Sequence, residues 1–206
     1  MRIYSIVGCI LGWFAIIAQF YLIIINRTSP VLEAIIRFFS FFTILTNILV
    51  ALSFTYALTR SSSSLKIFFS KQSTLAAICV YILVVGITYN VILRALWQPT
   101  GLQKIVDELL HVVMPIVFTI FWIAFVPKKE LKWTTIFPWL LYPLFYAVII
   151  AIRGAFSGYY PYPFIDVSKI GYPKFFINSL LITVLFFFLS LLLVGISKAF
   201  GKRSEI

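Results

Sequence analysis

Six long apolar runs constrain this chain more than any other feature of its sequence. They cover approximately residues 4–25, 32–58, 74–97, 106–126, 134–153 and 175–198. A helix of roughly 20 residues crosses the hydrocarbon core of a bilayer, and no run shows the alternating polarity of a membrane strand. With 62% hydrophobic and 11% charged residues, the 206-residue chain has too little polar surface for a soluble domain. We therefore predict an all-α polytopic membrane protein, with six transmembrane helices in one bundle and a single domain over residues 1–206.

Positive charge is divided unequally between the loops that connect these runs. If six helices alternate in direction, one side of the membrane receives Arg2, Arg60, Lys66, Lys71, Lys128, Lys129, Lys132, Lys198, Lys202 and Arg203. The loops of the other side carry Arg27, Lys104, Lys169 and Lys174. Because basic residues accumulate in cytoplasmic loops, we predict cytoplasmic N- and C-termini in a bacterial plasma membrane. The net charge of +11 then reflects topology, so the expected partner is the lipid bilayer and not nucleic acid.

The residues that commonly bind metals or cofactors are few. Cys9 and Cys79 both lie within apolar runs, which indicates packing and neither a disulfide framework nor a metal site. His111 is the only histidine, whereas six-coordinate haem requires two axial ligands. We predict no metal and no cofactor.

Residues 107–115 place two carboxylates and the only histidine at the head of the fourth apolar run. An ionisable side chain inside a membrane helix is costly, and it therefore suggests a functional site. Glu108 and His111 are three residues apart and share a helical face. Pro115 removes a backbone donor one turn beyond the histidine, which predicts a kink.

Polar side chains also follow one face of each of two other predicted helices. On the second helix, steps of three and four residues connect Arg37, Ser40, Thr43 and Asn47. On the third helix, four-residue steps connect Gly86, Asn90 and Arg94. Under the predicted topology the arginines lie toward the outer surface, and the deeper positions are those of Thr43, Asn47, Asn90 and His111. Two interpretations remain open: a structural ion-pair network, and a water-accessible cavity that opens outward above the histidine.

Two of the deep residues, Thr43 and His111, combine a hydroxyl and a base at similar depth. Histidine is the side chain most often used as a general base, and it can take a proton from a hydroxyl nucleophile. The residues expected to orient or support the pair are Glu108, Asn47 and Asn90. Arg37 and Arg94, nearer the outer surface, are expected to bind a carboxylate headgroup. This pattern favours an amphipathic lipid or fatty acyl ester as substrate, although a proton-linked transporter would use the same histidine.

Three segments of the chain resemble the androgen-induced-protein family of multi-pass membrane hydrolases, and more closely its prokaryotic six-helix relatives. Residues 41–45, Phe-Phe-Thr-Ile-Leu, are similar to the aromatic-rich family helix that carries a nucleophilic threonine. Residues 111–115, His-Val-Val-Met-Pro, are similar to the family's histidine helix. Residues 160–166, Tyr-Pro-Tyr-Pro-Phe-Ile-Asp, resemble a family stretch that precedes the last helix. The order and approximate spacing of the three segments agree over most of the chain.

The resemblance implies a threonine hydrolase of fatty acid esters of hydroxy fatty acids, with Thr43 as the nucleophile and His111 as its partner. Thr46 is a rival nucleophile, but it lies about 60° around the helix from Thr43 and further from the face of Arg37 and Asn47. The alternative function is non-enzymatic: a small transporter, or a structural partner whose polar centre is an ion-pair network. No internal repeat is evident, which disfavours a transporter built from inverted repeats.

Overall fold

Every secondary-structure element in the described part of the chain is a helix. The computed structural model describes residues 1–60, 62–128 and 131–201. Its α-helices are α1 (Arg2–Ile25), α2 (Val31–Phe39), α3 (Phe42–Leu58), α4 (Ser64–Ser70), α5 (Gln72–Thr88), α6 (Gly101–Glu108), α7 (Met114–Phe125), α8 (Ile136–Ser157) and α9 (Val167–Gly201). Three basic residues of the predicted charge distribution lie outside the described ranges: Lys129, Lys202 and Arg203.

Five helical segments are long and apolar enough to cross a membrane: Arg2–Ile25, Gln72–Leu93, Gly101–Phe125, Trp133–Ser157 and Val167–Phe200. The bent pair of α2 and α3 makes a sixth if it counts as one span. Two of the long segments run through single π-helical turns, Tyr89–Leu93 after α5 and Leu109–Val113 between α6 and α7. The described part of the chain is therefore all-helical, with five to six segments suited to an integral membrane protein. The count of six spans and the cytoplasmic termini stay predictions.

The predicted second helix, 32–58, is not continuous. α2 and α3 meet at an angle of 68°. At the break the Ser40 hydroxyl donates to the Ile36 carbonyl at 2.6 Å, a contact that tends to bend helices. Phe41 then adopts an extended conformation (φ −82°, ψ 123°), and α3 begins at Phe42. The break places Thr43 in the first turn of α3 instead of the middle of a long helix.

Two other helical segments begin earlier than their apolar runs predict. The segment of the fourth run starts at Gly101, whose φ of 57° lies in the left-handed region, instead of near residue 106. The segment of the sixth run starts at Val167 instead of near residue 175, and it passes through a kink at Gly171 (φ 72°) before Pro173. Both extensions are rich in polar or aromatic residues, and hydropathy alone therefore misses them.

The chain divides into two compact units, Met1–Glu130 and Leu131–Ile206. In the first unit α3 packs closely against α1, because glycines remove side chains from the contact. A Cβ on Gly8 would lie 2.6 Å from the buried Phe54 ring, and one on Gly12 would lie 3.2 Å from the Ala51 Cβ. The same unit contains all the residues of the predicted site. The single-domain organisation inferred from the sequence stays a prediction.

The second unit contains α8, α9 and the aromatic loop between them. α8 ends at Gly158, whose φ of 67° gives a left-handed cap. Asp166 caps α9 by accepting hydrogen bonds from the backbone N–H of Ser168 at 3.2 Å and from its hydroxyl at 2.5 Å. Burial opposes ionisation of Asp166, but donation from Ser168 and Lys169 brings its pKa below the ordinary value. The Asn178 amide also donates to the Phe164 carbonyl at 2.7 Å, so side chains hold the end of the loop that leads into α9.

Candidate active site

The site is built on a defect in the backbone of the Gly101–Phe125 segment. Pro115 has no N–H, so the carbonyl of His111 lacks the donor that a regular helix would provide four residues later. In the π-helical turn just before it, the Met114 N–H donates to Leu109, five residues back. The carbonyl of Leu110 is therefore also left for a donor outside the helix. Such turns occur frequently at functional sites.

Two asparagines from neighbouring helices donate to these two carbonyls. Asn47 of α3 donates through Nδ2 to Leu110 O at 3.2 Å and to Thr43 O at 2.9 Å. Asn90, in the π-helical turn after α5, donates to His111 O at 3.4 Å. Gly86 permits this approach, because a Cβ there would lie 3.2 Å from Pro115 and 3.3 Å from His111 O. Asn47 and Asn90, one from each predicted polar stripe, thus donate hydrogen bonds to the backbone of Gly101–Phe125, the histidine helix.

The imidazole of His111 has a defined orientation. Its Nδ1 lies 2.9 Å from the backbone carbonyl of Asp107 and 3.4 Å from the Asp107 carboxylate. Both neighbours are acceptors once the carboxyl is ionised, so Nδ1 carries the proton of the neutral ring. Nε2 is then an acceptor. This assignment follows from the hydrogen-bond network.

Thr43 faces this accepting nitrogen. Its hydroxyl oxygen lies 3.4 Å from His111 Nε2, so the two predicted catalytic residues are adjacent in the structure. Thr43 is only 7% exposed and the His111 side chain only 12% exposed. The first turn of α3 also brings the positive end of a helix dipole to the hydroxyl. A positive end at this position favours negative charge that develops on a reacting group.

Tyr89 is a site residue that the sequence analysis missed. Its ring stacks on the His111 ring with centroids 4.0 Å apart and an interplanar angle of 15°. Its hydroxyl donates to the Asp107 carboxylate. A buried tyrosine requires a partner for its hydroxyl, and that requirement is the signal by which a tyrosine in an apolar run could have been found.

Glu108 does not hold the histidine, contrary to the sequence-based expectation. Its carboxylate forms a two-point ion pair with the Arg94 guanidinium, with N–O distances of 2.7 and 2.9 Å. These hydrogen bonds raise the pKa of Arg94, which also donates to Asn90 Oδ1 at 2.9 Å. The carboxylate beside His111 is instead that of Asp107, to which the sequence analysis assigns no role.

The two arginines expected to bind a substrate carboxylate are already paired with protein carboxylates. Arg37 lies on α2, before the helix break, where its Nε donates to Glu33 at 2.7 Å. Arg94 is paired with Glu108. An anionic ligand would have to compete with these side chains for either guanidinium. The rival nucleophile Thr46 is fully buried, and its hydroxyl has no hydrogen-bond partner within the described residues.

Comparison with protein-family models, with curated proteins and with solved structures finds no match for this chain.

We predict that Asn47→Asp destabilises the protein much more than Asn26→Asp. The first change replaces a buried donor by an oxygen that faces two carbonyl oxygens, which should cost about 2 kcal/mol or more. The Asn26 amide donates in a similar way to Leu22 O at 3.0 Å, but the Asn26 residue is exposed at the molecular surface. Thermal unfolding of both variants in detergent measures the difference. Equal midpoints would contradict the role given to Asn47.

Proposed function

We propose that this protein is an intramembrane ester hydrolase in which Thr43 is the nucleophile and His111 the general base. The observation that carries the proposal is the distance of 3.4 Å between the Thr43 hydroxyl and His111 Nε2, on a ring whose Nδ1 already has acceptors. A nucleophile, a base and a group that orients the base constitute the arrangement used for covalent catalysis. The distance is long for a hydrogen bond, as is common before substrate binds.

The reaction proceeds in two balanced steps. The Thr43 oxygen attacks the ester carbonyl while His111 Nε2 takes the hydroxyl proton, and the same proton then passes to the departing alcohol. The product of this step is an acyl-threonine. Water next attacks the acyl carbon, with Nε2 accepting its proton and returning it to Thr43. The net result is one ester and one water converted to one acid and one alcohol.

A substrate dissolved in the bilayer fits the surroundings of the site. The residues beside Asn90 are apolar and exposed, with Val91 75% and Ile92 38% exposed. A surface of this kind suits lipid acyl chains. The substrate class is therefore a fatty acyl ester, such as a fatty acid ester of a hydroxy fatty acid. A carboxylate on the substrate would compete with Glu108 for Arg94.

The proposed topology has six spans, with the bent pair of α2 and α3 counted as one and both termini in the cytoplasm of a bacterium. The imbalance of basic residues between the two sets of loops supports this orientation. Thr43 then lies beside a break within a span. Broken helices of this kind are found in membrane proteins where backbone is buried in protein or lines a cavity.

We predict that Thr43→Val and His111→Ala each lower long-chain ester hydrolysis by the purified protein at least about a thousandfold. Thr43→Val keeps the shape of the side chain and removes only the hydroxyl. Thr43→Ser should retain part of the activity, since it restores a hydroxyl at the same position. The measurement is kcat for a fluorogenic long-chain ester presented in nanodiscs.

Thr46→Val is the matched variant, because it makes the same change one turn further along α3. We expect it to retain activity. Full activity in both Thr43→Val and His111→Ala would eliminate the pair and favour a structural polar network. If only Thr46→Val loses activity, Thr46 and not Thr43 is the nucleophile.

We predict that single cysteines report the topology in intact cells, in a background carrying Cys9→Ala and Cys79→Ala. Thr28→Cys and Thr100→Cys should react with a membrane-impermeant maleimide, because the proposed topology places both positions outside the cell. Ser62→Cys, which the proposed topology places in the cytoplasm, should react only after the membrane is permeabilised. All three positions are exposed in the structure, so burial does not limit labelling. Labelling of Thr28→Cys and Ser62→Cys from the same side would show that α2 and α3 form a re-entrant loop.

A further inference from the structure

Two buried groups that take no direct part in the proposed reaction lie against the imidazole of His111: the Asp107 carboxylate beside Nδ1 and the Tyr89 ring on one face. The Asp107 carboxylate lies 3.4 Å from His111 Nδ1, and its side chain is only 8% exposed. The Tyr89 hydroxyl donates to the other oxygen of the same carboxylate. The Tyr89 ring also covers one face of the imidazole at 4.0 Å. Three residues from two spans are thus connected in a closed set of contacts.

The tautomer of the histidine decides whether it can act as a base toward Thr43. With the proton on Nδ1, Nε2 has a lone pair to accept the hydroxyl proton. With the proton on Nε2, the ring would be a donor toward Thr43 and could not accept. Free neutral imidazole side chains favour the Nε2-protonated form, so the protein has to select the other one. A carboxylate beside Nδ1 makes that selection, because it stabilises a proton located there.

We propose that Asp107 and Tyr89 are positioning residues that together lock His111 in the Nδ1-protonated tautomer and fix the plane of its ring. Asp107 selects the tautomer. Tyr89 holds the carboxylate in place through its hydroxyl and prevents rotation of the imidazole through the stacked rings. The catalytic value of this pair rests on the proposed function, whereas the tautomer itself does not.

The Arg94 guanidinium extends the same set of contacts toward the surface. It lies 5.1 Å from the centroid of the Tyr89 ring, a distance at which a cation is attracted to an aromatic face. Its pairing with Glu108 keeps that neighbouring carboxylate away from the imidazole. The adjacent acids Asp107 and Glu108 therefore have separate partners. This separation provides the matched control for the test.

The test uses the fact that His111 is the only histidine in the chain. Histidine labelled with ¹⁵N gives the two ring-nitrogen signals of this one side chain, and their chemical shifts identify the protonated nitrogen. The protein is studied in detergent micelles at a pH at which the imidazole is neutral. We expect the wild type to be at least about nine-tenths Nδ1-protonated, because both acceptors lie beside that nitrogen.

Asp107→Asn should shift His111 to the Nε2-protonated tautomer, because an amide can donate to Nδ1 and no longer attracts its proton. Tyr89→Phe keeps the stacked ring and removes the hydroxyl, so we expect a mixture of tautomers. Glu108→Gln should leave the tautomer unchanged. An unchanged tautomer in Asp107→Asn would overturn the proposal, since the backbone carbonyl of Asp107 would then suffice. A shift in Glu108→Gln equal to that in Asp107→Asn would also overturn it.

Kinetics separate this inference from the proposed function. Asp107→Asn should lower kcat for the fluorogenic ester about a hundredfold to ten-thousandfold with little change in KM. Tyr89→Phe should lower kcat less. An Nδ1-protonated wild type with no esterase activity would refute the hydrolase and leave the positioning pair intact. An active enzyme whose tautomer and kcat do not respond to Asp107→Asn would refute the positioning pair alone.

Discussion

A backbone carbonyl inside a membrane requires a hydrogen-bond donor, and the Gly101–Phe125 segment leaves two of its carbonyls to donors from neighbouring helices. Pro115 has no N–H to offer His111 O, and the π-helical turn takes the Met114 N–H away from Leu110 O. In the absence of water, each unmet carbonyl would cost several kcal/mol. Asn47 and Asn90 supply the missing donors. These two contacts join α3 and the π-helical turn after α5 to the segment that carries His111, at one level of the first compact unit.

The same contacts bring the reactive groups together. Asn47 donates to Thr43 O as well as to Leu110 O, so one amide joins the backbone of the hydroxyl residue to the helix that carries the histidine. The break between α2 and α3 allows Thr43 to occupy a first helical turn. Glu108 is held by Arg94, and Asp107 remains beside the imidazole. A structural defect in one helix and a break in another thus generate an arrangement suited to acyl transfer.

Part of this arrangement could be predicted from the sequence. The sequence predicts that Thr43 pairs with His111 because both lie at a similar depth, and the two side chains are adjacent in the structure. The choice between Asp107 and Glu108 could not be made in the same way, because residues three and four positions before a histidine are both its neighbours on a helix. The positions of Arg94 and Tyr89 on another helical segment separate them, since Arg94 pairs with Glu108 and the Tyr89 hydroxyl donates to Asp107. The break at Ser40 also carries neither a proline nor a glycine, and hydropathy alone does not reveal it.

The most direct test of the Thr43–His111 pair is covalent trapping with a fluorophosphonate bearing a long alkyl chain. The Thr43 oxygen should attack phosphorus with loss of fluoride, and mass spectrometry of the digested protein should locate the adduct on Thr43. The adduct should be absent from His111→Ala, in which no base accepts the hydroxyl proton. An adduct on another residue, or labelling that is undiminished in His111→Ala, would contradict the account.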